Sequence, residues 1–323
     1  MSQETLRYIR NDTTQRFGGG RRVRGDVMGA MVVNLDGGPD PFLVKAVLLG
    51  VACDRGVGLG NGRIGSADGP QRFRDIFWRM TAPEGWQTGA ILDAGDLVSA
   101  GRTDETHARL TEVLTVLRGR FPAARVAVVG GGHDALYGEV LGLSRWLRKA
   151  HDDARIGLCS IDAAPDAATF DGEPHDHTAL RRLIREPAAR VGGEDVILWG
   201  LQRPSSPASQ LAFLRGAGCE LSFCPEGDEA GLLTSLRALA ARVHGLSLAV
   251  DLGAFPQSVA PGVSEPMPIG VRPEAVIEAA VTLAALPLPS SLSIWGLNPR
   301  FDRDAATARL AARLVYSYMT GAR

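Results

Sequence analysis

The run RIGLCSIDAAPDA, Arg155–Ala167, sets six apolar or small residues between an arginine and a pair of carboxylates, and its reading decides the fold. Six residues without polar alternation are too few for a helix and describe a strand buried on both faces. Seven runs of the same kind recur: VKAVLLGVAC (Val44–Cys53), GAILDAG (Gly89–Gly95), RVAVVGGG (Arg125–Gly132), DVILWG (Asp195–Gly200), ELSFC (Glu220–Cys224), LSLAVD (Leu246–Asp251) and SLSIWG (Ser291–Gly296). Between them lie segments such as ETHARLTEVLTVLRGRF (Glu105–Phe121) and DAATARLAARLVYSYM (Asp304–Met319), whose apolar residues fall at helical spacing. Strands alternating with helices predict an α/β protein: a three-layer αβα domain with a mostly parallel eight-stranded sheet. Asp304 is placed to cap the last helix.

Composition supports one large domain. The chain has 323 residues, 45% of them apolar, enough for a sizeable core, and no composition break divides residues 42–323. Residues 1–41 differ: RFGGGRRVRGDV (Arg16–Val27) is basic, Gly-rich and aperiodic, and reads as a flexible or surface-draped arm. Lys and Arg number 35 against 36 Asp and Glu, so no net field recruits nucleic acid or an anionic membrane. No apolar run is long enough to span a bilayer and the N-terminus lacks a signal-peptide core, so a cytoplasmic protein acting on a small molecule is expected. Cys53, Cys159, Cys219 and Cys224 form no C-x-x-C pair and read as reduced thiols without a chemical role.

In an open parallel sheet, ligands gather beyond the carboxyl ends of the strands. Three runs end in chemistry there: one delivers His133, one Asp162 and Asp166, and one Asp251. An aspartate after a strand is by itself a common turn former. Three carboxylates and an imidazole at one sheet edge, however, repel one another and lose hydration unless a cation holds them. This oxygen-rich donor set suits one divalent metal, Mn first, with Fe, Ni or Zn as alternatives.

These motifs resemble, in order and spacing, those of the ureohydrolases, the arginases, agmatinases and formimidoylglutamases. GGGHDALYG (Gly130–Gly138) is similar to that family's Gly-Gly-x-His segment, SIDAAPDA (Ser160–Ala167) to its Asp-Ala-His-x-Asp, and AVDLGAFPQSVAPGVSEP (Ala249–Pro266) to its Asp-x-Asp and Ala-Pro-Gly. The segments Gly50–Phe77 and Leu297–Val315 extend the resemblance, and the wording of the first and of PQSVAPGVSEP leans toward formimidoylglutamase.

The resemblance implies an arginase-like fold, two manganese ions held by six protein ligands, attack of activated water on an amidine or guanidinium carbon, and a possible homo-oligomer. Four ligands carry over, as His133, Asp162, Asp166 and Asp251. The other two fall on Ala164 and Gly253, and the family's substrate-binding glutamate falls on Gly296. None of these three side chains can ligate a metal or pair with a cation. The survivors make up the set of one metal, so the second site is expected to be absent.

Two functions are compatible with such a half-site. One is a single-metal hydrolase of a C–N bond in a linear amidine or related compound; the other is a non-catalytic homologue serving as a ligand-binding or partner subunit. Losing a histidine and two carboxylates also argues for a larger or less basic guest. His175 and His177 in the loop FDGEPHDHTALRRL (Phe170–Leu183) are candidate catalytic bases or replacement ligands, and Asn61, Arg63 and Asp176 candidate substrate contacts.

Overall fold

The computed structural model describes residues 8–10, 26–224 and 229–322. All eight predicted runs are strands: β3 (Ala46–Ala52), β4 (Ile91–Val98), β5 (Arg125–Gly130), β6 (Ile156–Ile161), β7 (Val196–Leu201), β8 (Glu220–Phe223), β9 (Gly245–Asp251) and β10 (Ser290–Trp295). They pair in parallel in the order β4-β3-β5-β10-β9-β6-β7-β8.

Two short strands bring the sheet to ten among the described residues: β1 (Ile9–Arg10), antiparallel to β4, and β2 (Val32–Asn34), parallel to it. The boundary expected at residue 41 is therefore corrected for its later part. Met28 and Met31 are buried and join the core beneath β3 and β4, because the apolar cluster Val27–Val33 is short enough to escape a periodicity test yet long enough to cover the sheet. Most of the basic, Gly-rich stretch, residues 16–25, lies outside the described residues.

Alternate strand residues feed two apolar clusters, one on each face of the sheet, which gives the three layers. On one face Ala46 and Leu48 of β3 and Ala127 and Val129 of β5 pack with helices at Gly69–Phe77, Pro273–Ala285 and Ala306–Thr320. On the other, Val47 and Leu49 of β3 and Val126 and Val128 of β5 pack with helices at Thr103–Arg120 and Leu136–Leu147. Both faces being covered explains why the strands read as continuous apolar runs.

Asp304 does not cap the last helix. Its backbone and that of Ala305 adopt left-handed conformations, with φ of 50° and 57°, and Asp302 folds back instead: Oδ1 accepts from Thr307 N at 2.9 Å and Oδ2 from Ala308 N at 3.1 Å. The Thr103–Arg120 helix also has its N-terminus served from a distance, by Glu173, whose Oε2 accepts from Thr103 N at 3.0 Å while Oε1 lies 2.7 Å from Arg55 Nη2. One buried ion cluster fixes the outer sheet: Arg74, 1% exposed, donates to both Asp93 oxygens at 2.9 Å and to Asp96 on β4.

Candidate metal centre

The strand order converts residues distant in sequence into neighbours. β5 and β9 flank β10, and β6 lies beyond β9, so His133, Asp162 and Asp251 emerge from the carboxyl ends of three of four consecutive strands. His133 opens a 3-10 turn, His133–Ala135, directly after the glycines that end β5. Its ring stacks on the buried Trp295, with centroids 6.3 Å apart. A Cβ at Gly131 would stand 2.1 Å from Cys53 O, so only glycine lets β3 and this turn approach so closely.

Asp166 comes not from a strand end but from the loop after β6, and its backbone φ of 42° is uncommon for a residue with a side chain. Hydrogen bonds on each side hold that conformation: Leu180 N donates to Asp166 O at 3.0 Å and Ala167 N to Gln210 Oε1 at 2.9 Å. The result aims the carboxylate back at His133.

His133 Nδ1 lies 2.8 Å from Asp162 Oδ2, 2.8 Å from Asp166 Oδ2 and 3.8 Å from Asp251 Oδ2. Despite this proximity, His133 Nδ1 and Asp162 Oδ2 are buried and make no properly directed hydrogen bond. Ligand atoms about 2.1 Å from a shared ion are separated by roughly 3.0–3.4 Å, close to the spacing found here. The remaining oxygens of two ligands are used differently: Asp162 Oδ1 accepts from Ala164 N at 2.9 Å and Asp251 Oδ1 from Gly253 N at 2.6 Å. The two positions expected to have lost ligand side chains thus supply backbone N–H groups.

The electrostatics express the same need for a cation. Burial, reinforced by Asp166, pushes the Asp162 carboxyl up to about 6. Burial, reinforced by Asp162, pushes Asp251 up to about 8. Burial also works against the charge on Asp166, but the contacts with His133 and His177 outweigh it and take that group down to about 2. A divalent ion would supply the positive charge this cluster otherwise draws from its imidazoles.

Above the centre lies an open cleft, walled by His133, Asp162, Asp166 and Asp251 together with Ala164, Gly253 and Gly296 and, from the loops, Asp176, His177, Glu265 and Met267. Positions 253 and 296 have little room for a side chain. A Cβ at Gly253 would lie 2.9 Å from the backbone oxygen of Glu265, and one at Gly296, where φ is 79°, would lie 3.2 Å from Asp251 Oδ2.

His177 reaches the cleft but is doubly engaged: Nδ1 is 3.3 Å from Asp166 Oδ1 and Nε2 is 3.1 Å from Glu265 Oε1. These two carboxylates hold the imidazole up to about 11. His175 stays outside the lining, with its ring edge-on to His177 at 5.9 Å.

Asp176 lines the cleft, its Oδ1 accepting from Asp134 N at 3.2 Å. Asn61 and Arg63 do not. Asn61 sits in an exposed left-handed turn, and Arg63 donates to Val263 O at 2.7 Å while its guanidinium stacks 3.8 Å from the centre of the Phe301 ring. Glu265 was missed by sequence reasoning; an acidic residue three positions beyond the glycine of PGVSEP is the only signal that could have drawn attention to it.

Comparison with known proteins agrees with the fold. The arginase family model matches residues 44–321, and the chain belongs to the arginase family. It is 32% identical over 320 residues to the formimidoylglutamase of Cupriavidus pinatubonensis, covering 94% of this chain and 92% of that one. It is 30% identical over 289 residues to the formimidoylglutamase of Geobacillus thermodenitrificans, covering 87% and 85%. Among solved structures, the formimidoylglutamase of Bacillus subtilis superposes with a TM-score of 0.82 at 19% identity, over 98% of this chain and 97% of that one. The formiminoglutamase of Trypanosoma cruzi with Mn2+ gives 0.77 at 21%, over 92% and 97%.

Proposed function

We propose that this arginase-family protein hydrolyses a C–N bond in a linear amidine or related small molecule, using one divalent metal, manganese first, held by His133, Asp162, Asp166 and Asp251. The observation that carries the reading is the convergence of buried, unpaired His133 Nδ1 and Asp162 Oδ2 with Asp166 and Asp251 at ligand spacing beneath an open cleft. Manganese is the metal named with the T. cruzi relative.

A divalent ion held by these four residues would supply activation of water as a nucleophile near neutral pH. The protein's own part is to fix the donor set and shape the cleft above it. His177 orients Asp166 by engaging its second oxygen, as partners behind metal ligands commonly do. Ala164 N and Gly253 N do the same for Asp162 and Asp251. Because those oxygens are occupied and a side chain at 253 would meet the Glu265 backbone, a single metal suits the site better than two. Nothing observed favours the non-catalytic alternative.

The test is metal stoichiometry with turnover. Protein loaded with manganese should retain one ion per chain and release ammonia or an amine from simple formamidines, and Asp162→Ala should abolish both. Two ions per chain would overturn the single-metal reading, and absence of metal together with absence of turnover would establish the non-catalytic one.

A further inference from the structure

We propose that the cleft selects amidines or guanidines whose remaining substituent carries no carboxylate, and that Glu265 is the residue that turns anionic tails away. This rests on the hydrolase reading above and narrows it to a substrate class.

Gly253 and Gly296, standing where the resemblance implies carboxylates, suggest a site that has shed negative charge. The folded chain restores it from elsewhere. Asp176 and Glu265 join Asp162, Asp166 and Asp251 around the same cleft, and no lysine or arginine is among the described residues that line it. Even with one divalent ion bound, five acidic side chains and no permanently cationic one among the described lining residues face the guest, which argues against the expectation of a less basic guest.

Glu265 is the member placed to act on the part of a substrate that points outward. Its side chain is 40% exposed, against 4% for Asp166 and 7% for Asp162, so it stands at the mouth while those stand at the floor. The contact with His177 Nε2 fixes the carboxylate across the opening, and its backbone oxygen occupies the space above Gly253. The two guanidiniums of the Gly-rich rim loop do not balance it. Arg63 is committed to Val263 O and Phe301, and Arg55 to Glu173. A carboxylate on the tail of a bound amidine would thus meet like charge in a partly desolvated opening, where Coulomb repulsion is only weakly screened.

A matched pair of probes isolates the tail: guanidinobutylamine and guanidinobutyrate share the guanidinium and the spacer and differ in terminal charge. Titration calorimetry on the full chain, with and without manganese, should give the amine at least about tenfold tighter binding than the acid. Glu265→Gln, which keeps an acceptor for His177, should shrink that ratio, and Glu265→Lys should bring it to unity or invert it. Equal or tighter binding of the acid overturns the proposal, as does a ratio indifferent to Glu265→Gln. Both outcomes are read from binding, so they are distinguishable from a failure of metal loading or turnover, which would defeat the hydrolase reading alone.

Discussion

Replacing Asp162 by asparagine should change stability in opposite directions depending on metal. The residue is 5% exposed, and burial together with Asp166 raises its carboxyl from 3.8 to about 6. A carboxyl raised in the folded state destabilises the fold progressively as pH rises through its unfolded value toward its folded one, because the unfolded chain ionises first. A shift of roughly two units corresponds to about 3 kcal/mol once pH exceeds the folded value. Asparagine keeps the shape and the acceptor for Ala164 N but never ionises, so in EDTA at about pH 8 it should stabilise the protein by roughly 1–3 kcal/mol. For a chain of this size that raises the melting temperature by roughly 2–4 °C.

With manganese the order should invert. An ion at a thousandfold its dissociation constant stabilises the parent by about 4.1 kcal/mol, more than the variant's lead in EDTA, and the variant, lacking one ligand, forgoes it. Scanning calorimetry of both proteins, in EDTA and in manganese, from about pH 4 to pH 8, reads all four limbs. Below about pH 4 the parent and variant should converge in EDTA, since both then carry a neutral side chain at this position. If the variant is the less stable protein in EDTA at every pH, or if manganese stabilises both equally, Asp162 is not a strained ligand awaiting a cation.

Two further outcomes follow from the ion pairs. Arg74→Met should lower the urea unfolding free energy by about 3–5 kcal/mol, because Asp93 and Asp96 lose the guanidinium that offsets their burial; a loss below about 1 kcal/mol would contradict that account. Glu173 is held down to about 2 by Arg55, by the N–H of Thr103 and by Arg102, so its contribution is present above the usual glutamate value of 4.5 and disappears as pH falls toward 2. Glu173→Gln should therefore flatten the acid limb of a stability profile over that window and leave the profile's shape above it unaltered.

The sheet was legible because a strand covered on both faces has no polar alternation, and eight such runs stand clear of the helices between them. The four converging side chains were legible for a related reason: His133, Asp162 and Asp251 terminate or closely follow apolar runs, and Asp166 belongs to the same motif as Asp162. Features built by folding back were not. The capping role of Asp302 depends on a left-handed turn at Asp304 and Ala305 that no periodicity encodes. β2 is only three residues long, and its cue was lost beside a basic, Gly-rich stretch. Glu265 lies 14 residues beyond Asp251 in a loop without regular structure, and it takes its place in the cleft only through His177, a partner 88 positions away. Loop contacts of that kind carry no local signature.

The position of β10 has a consequence for how the molecule is assembled. It is the last of the described strands in chain order, yet it lies between β5 and β9, and until Ser290–Trp295 inserts, the strand that leads to His133 has no ladder bond to the strand carrying Asp251. Contacts of such long sequence separation form late and slowly. A chain cut before Ser290 would therefore lack the strand that joins His133 to Asp251, and capture of the proposed metal would become a readout of completed folding.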